Sequence, residues 1–249
     1  MQKQSVKNYI WIAVFGIAMG FLEAIVVVYL RELFYPYGFN FPLAPFPPNL
    51  YIIEIIREFA TILMLASLGA IAGKTFPQKF AYFLYAFGIW DIVYYIALKI
   101  FLGWPASLFT WDILFLIPIV WIGPVLAPII CAVTMIALAF LLISLSEKNI
   151  NFKIKSLDWT LLLLGAFIIF VSFIWNYVEF ILLGNIDLKQ VLAMQDFKQM
   201  QLRLSFIPQS FNWILYIIGE VLIIIAIIKL ATESRKSRQL VDVNSRIKK

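Results

Sequence analysis

Six apolar runs, each long enough to cross a bilayer as a helix, constrain this chain more than any other feature. They cover about residues 9–30, 50–73, 79–101, 113–145, 157–183 and 211–230. A helix rises about 1.5 Å per residue, so about 20 apolar residues span a hydrocarbon core of about 30 Å. A soluble core cannot absorb them, because 63% of the 249 residues are hydrophobic and only 14% are charged. The expected fold class is therefore all-α: a polytopic transmembrane bundle of about six helices, forming one domain over residues 1–232. Residues 233–249 form a basic tail. The first run is too long for a secretory signal and carries Glu23, so it counts as a span.

The fourth run is the irregular one. It is too long for one simple span and too short for two, and Pro118, Gly123, Pro124 and Pro128 punctuate it. A Pro/Gly-broken half-helix near 111–124, followed by a true span from Val125 to Leu145, is the expected arrangement. Irregular backbone at membrane depth is tolerated where protein or a water-filled cavity satisfies it. Residues 31–49 contain five prolines and six aromatic residues, which suits a loop on the bilayer interface or a lid over a site. Asn185–Ser210 is a longer polar segment that fits an interfacial amphipathic helix roughly.

Lysine and arginine orient the bundle. The N-terminus, the connectors at 74–79 and 148–155 and the end of the chain from Lys229 onward carry fourteen basic residues. The other side carries five: Arg31, Lys99, Lys189, Lys198 and Arg203. By the positive-inside rule both termini are cytoplasmic, as in a multi-pass protein of a bacterial inner membrane. The tail could also meet anionic lipids. No aromatic-interleaved basic patch argues for nucleic acid, whereas a protein partner or homo-oligomer is compatible with the sequence.

Ionisable groups inside spans are costly and mark function by default. Glu23, Asp91 and Glu220 are the deep ones. Glu54, Arg57 and Glu58 open the second span at i, i+3 and i+4, on one face. Arg57 is placed to neutralise Glu54 or Glu58, or Asp91 across helices. Asp91 shares its face with Tyr94 and Tyr95, and Asp112 ends the half-helix. Ser172, Asn176 and Glu179 make one polar stripe, and Trp213, Tyr216 and Glu220 another. These acids come from different segments yet concentrate in the outer half of the bilayer. Glu54, Glu58, Asp112 and Glu179 also lie near enough to the boundary to reach water.

No cofactor is evident. The chain has no histidine, which removes His-ligated haem, His-based zinc and His-dependent triads. The single Cys131 allows no internal disulfide and suits a helix-packing position. Three readings stay open. One is a transporter or permease-like protein that binds a cation or proton. Another is an intramembrane enzyme using carboxylate chemistry on a lipid or isoprenoid, with Asp91 or Asp112 as acid. The third is a non-catalytic assembly subunit.

The segments FLEAIVVVYLRELFYP, GIWDIVYY and LGWPASLFTWDILFLIPIVWIGPVLAP resemble a family of bacterial multi-span membrane proteins with no assigned activity. The resemblance covers most of the chain and implies a bacterial integral membrane protein. It implies no reaction.

Overall fold

The computed structural model describes residues 3–45, 47–148, 152–183 and 206–247. Among them are six long helices: α1 Lys3–Phe34, α2 Pro48–Ala72, α3 Phe76–Leu102, α4 Leu126–Lys148, α5 Ser156–Leu183 and α6 Trp213–Ile247. Each contains a stretch long and apolar enough to cross a membrane. The expected amphipathic segment at 185–210 lies mostly outside the described residues.

Two expectations need correction. The stretch 111–124 is not a half-helix. It is an antiparallel β-hairpin, β1 Trp111–Phe115 and β2 Trp121–Pro124, with Asp112 opposite Gly123 and Ile113 opposite Ile122. The prolines explain the difference. Pro118 falls in the turn and Pro124 ends β2, where neither must donate an N–H to a helix. The paired strands then satisfy one another's backbone groups. The second correction concerns lengths. α1 runs past residue 30 to Phe34, so Arg31 belongs to a helix and not to a connector. α6 likewise continues through most of the expected tail, to Ile247.

α3 packs against α1, α2 and α4, while α5 packs chiefly against α6 and touches β2. The chain starts, the α2–α3 turn, the α4–α5 link and the end of α6 share one end of the bundle, called here the terminal end. The hairpin and the loop after α1 occupy the other, the hairpin end. At the terminal end Tyr9, Tyr85 and Phe140 cluster, with ring centroids 4.8 Å apart for Tyr9–Tyr85 and Tyr9–Phe140. Tyr9 and Tyr85 belong to a core that also takes in Leu142, Leu162 and Leu230, which joins the two helix groups there.

Small residues set the closest crossings. The Gly16/Gly20 pair faces α3, where a Cβ on either residue would lie 2.9 Å from Ile89 or from the Trp90 carbonyl oxygen. Gly165 and Gly219 meet backbone to backbone between α5 and α6. A Cβ on Gly219 would come within 2.7 Å of the Gly165 carbonyl oxygen. With lipid outside as apolar as leucine, such close approach supplies much of the helix–helix attraction. Gly219→Val should therefore force α5 and α6 apart and cost about 1–3 kcal/mol. Thermal unfolding in mild detergent, followed by tryptophan fluorescence, reads this as a lowered midpoint; an unchanged midpoint would show that the crossing is not tight.

Candidate functional site

The hairpin inserts between the helix groups and is anchored by buried charge. Glu58 on α2, 6% exposed, accepts the Leu116 N–H with both carboxylate oxygens, at 3.0 and 2.9 Å. Asp112 on β1, 2% exposed, accepts a hydrogen bond from Arg31 Nη2 at 3.2 Å and another from the Tyr95 hydroxyl at 3.2 Å. The Arg31 guanidinium also lies over the Trp104 ring at 3.7 Å and the Phe39 ring at 4.4 Å. Charge, hydrogen bonds and ring faces together offset the cost of burying that ion pair. Asp112 lies outside the six spans; burial pushes its carboxyl above the usual carboxylate range, and the Arg31 guanidinium and the Tyr95 hydroxyl pull it back down.

Beneath the hairpin lies a cavity of about 470 Å³ that draws its walls from all six helices. Its polarity is graded. Toward the hairpin end it is lined by Arg31, Glu54, Arg57, Glu58, Tyr95 and Asp112. Toward the terminal end Leu84, Leu138 and Leu162 close it. The loop after α1 contributes Tyr35, Phe39, Leu43 and Ala44 to the lining, so it lies over the cavity as a lid would. Its Tyr35 hydroxyl accepts the Ala44 N–H at 2.9 Å.

Of the eleven residues singled out from sequence, nine line this cavity: Glu23, Glu54, Arg57, Glu58, Asp91, Tyr94, Tyr95, Asp112 and Glu220. Asn176 and Glu179 do not. Asn176 donates to the Ser210 carbonyl, and Glu179 is exposed. Their stripe turns inward only at Ser172, which is buried and bonds its own helix at the Ile169 carbonyl, 2.6 Å away. The stripe on α6 does face inward. The Tyr216 hydroxyl lies 2.8 Å from the Ala127 carbonyl and 3.1 Å from Glu220, and Glu220 also accepts from Thr134 Oγ1 at 3.1 Å.

Most of the acids have partners. Arg57 pairs with Glu54 at 2.8 Å and with Glu23 across to α1; it does not pair with Asp91. Thr61 adds a 3.3 Å hydrogen bond to Glu23. Asp91 is the exception. Among the described residues it has no hydrogen bond or ion pair, and its half-buried carboxyl lines the cavity. No three acids among the described residues lie close enough together to hold a metal ion.

Sequence reasoning passed over Arg31, Thr61 and Thr134. Two of them were within reach. Glu23, Val27, Leu30 and Arg31 follow i, i+4, i+7 and i+8, and Thr61 extends the Glu54–Arg57–Glu58 face by one more turn. A further ion pair, between partly exposed Lys229 and buried Asp158 at 2.5 Å, ties α6 to α5 at the terminal end, away from the cavity. Comparison with family models, with curated proteins and with solved structures finds no match to the chain.

Removing one partner of a buried pair strands the other. Arg31→Met should cost about 3–5 kcal/mol because Asp112 would lose its cation. Adding Asp112→Asn should restore part of that loss. The same fluorescence-monitored unfolding checks both, and additive effects of the two substitutions would show that the residues are not coupled.

Proposed function

We propose that this integral membrane protein is a transporter or permease-like protein whose interior site binds a cation or proton at Asp91. One observation carries the reading: Asp91 is the cavity acid without a protein partner. Charge balance points the same way. Six carboxyl groups line the cavity against two guanidiniums, Arg31 and Arg57. A low-dielectric interior does not hold that many uncompensated negative charges, so protons or a bound cation supply the balance. The paired acids are engaged in holding the hairpin and the helices together. Asp91 is free to exchange one bound species for another, which is what a coupled site needs.

The excess of lysine and arginine at the terminal end supports cytoplasmic termini in a bacterial inner membrane. The corrected position of Arg31 removes one basic residue from the opposing side. In this orientation the hairpin faces outward, and the site lies in the outer half of the bilayer.

The polar-to-apolar grading of the cavity favours a second reading, an intramembrane enzyme acting on a lipid or isoprenoid. Asp91 would then be the general acid, with Tyr94 and Tyr95 beside the reacting group.

Carbodiimide labelling tests the first reading at its centre. Dicyclohexylcarbodiimide adds to a protonated carboxyl in an apolar setting. Purified protein in nanodiscs should be labelled at Asp91, as located by peptide mass spectrometry, and Asp91→Asn should not be labelled there. Glu58, whose oxygens both hold the Leu116 N–H, should react far more slowly. Labelling that spares Asp91 even in acidified, cation-free buffer would end the proposal.

A further inference from the structure

We propose that the cation bound at Asp91 is a lipophilic organic one: a single positive charge carried on an apolar, ring-sized body. This rests on the reading above and names its substrate class. Four features of the cavity converge on it.

The first is the sign of the charge. Both guanidiniums are already engaged, Arg31 with Asp112 and Arg57 with Glu23 and Glu54. The six carboxyl groups of the lining outnumber these two cations. An anion entering here would meet net repulsion, whereas a cation would find Asp91 unclaimed.

The second is the number of oxygen ligands. A small inorganic cation such as Ca²⁺ needs about 6–8 oxygens to replace its water. The acids of this cavity are dispersed, and no three among the described residues converge on one point. An organic cation sheds its hydration more cheaply and can be held by one carboxylate and several ring faces.

The third is the wall beside Asp91. Five turn-adjacent or facing rings run from α3 through the hairpin to α5 in an unbroken series. Phe87–Trp90 centroids are 5.1 Å apart, Trp90–Phe115 6.3 Å, Phe115–Trp121 5.3 Å and Trp121–Phe170 4.9 Å. All of them line the cavity. Ring faces attract cations at short range, so this surface suits a charged organic body better than a neutral hydrocarbon chain alone.

The fourth is the closed apolar end. Leu84, Leu138 and Leu162 offer no hydrogen-bond partner below the level of Asp91. That space rewards burial of hydrocarbon at about 25 cal/mol per Å² and penalises a second polar group.

The test uses two ions of nearly the same shape and opposite charge, tetraphenylphosphonium and tetraphenylborate. The protein is held in phosphatidylcholine nanodiscs, with empty nanodiscs subtracted. Equilibrium dialysis should show saturable binding of tetraphenylphosphonium and none of tetraphenylborate. Asp91→Asn should weaken the phosphonium binding by about tenfold or more, and Asp91→Glu should retain it. On the wild-type protein, which needs no variant to fold, tetraphenylphosphonium should slow carbodiimide labelling of Asp91 and tetraphenylborate should not. Equal binding of both ions, phosphonium binding that is unchanged in Asp91→Asn, or no phosphonium binding at all would each overturn the proposal. Carbodiimide labelling of Asp91 in the absence of either ion separates the outcomes. If it occurs while phosphonium fails to bind, the substrate class is wrong and the cation- or proton-binding reading stands. If it does not occur even in acidified, cation-free buffer, the reading itself fails.

Discussion

A β-hairpin placed among helices that cross a membrane must account for every backbone N–H and C=O it carries, because lipid offers no replacement for water. The rest of this protein depends on how that requirement is met. The two strands pair with each other, and the register skips between Ile113 and Phe115. Just past the end of β1 the Leu116 N–H would be orphaned, and Glu58 takes it. Val125 and Leu126 donate back to Thr110 and Leu108, which ties the base of the hairpin to the start of α4. A carboxylate on α2 thus completes a sheet made elsewhere in the chain. Its burial is justified by the donor it satisfies.

That solution produces the cavity. Hairpin side chains pack outward against α5, where Val120 and Ile122 cluster with Tyr177 and Ile181. On the opposite side Asp112 reaches back to Arg31 on α1 and Tyr95 on α3. The hairpin therefore bridges two helix groups at one end, while the aromatic and leucine core joins them at the other. Between those two junctions α4 and α6 meet through Thr134–Glu220 and Tyr216–Ala127, and the remaining space is lined by whatever each helix presents. At the hairpin end these are the charged residues that hold the hairpin. At the far end they are leucines. The graded polarity of the cavity follows from the way the bundle is held together.

The sequence disclosed the helices and the level of the acids for one reason: both are local. Long apolar runs and i, i+3, i+4 spacing are written within a few turns of each segment. Asp91 and Glu220 were legible because a charge in an apolar run stands out alone. The hairpin was not legible. Trp-Asp-Ile-Leu-Phe and Trp-Ile-Gly-Pro are short apolar pieces, and periodicity cannot separate a buried strand from a helix fragment of that length. Arg31 was misjudged because it closes an apolar run, and the same letters serve equally for a helix that stops and for one that continues to a buried partner. Asn176 and Glu179 lie off the cavity for the converse reason. Spacing placed them on one face with Ser172, but which part of that face meets the cavity is a property of packing. Which acids would be paired and which left alone was beyond any local rule, since every pairing except Arg57–Glu54 and Tyr216–Glu220 joins distant parts of the chain.

The distances along the chain have a consequence for how the protein is made. Arg31 waits 81 residues for Asp112, and Glu58 waits 58 residues for Leu116. During synthesis α1, α2 and α3 therefore emerge with a guanidinium and a carboxylate whose partners do not yet exist. Both groups are costly in bare lipid, and only the hairpin supplies the partners that offset that cost. The buried charges of the first helices find their partners only when residues 111–124, the hairpin in the middle of the chain, follow α3.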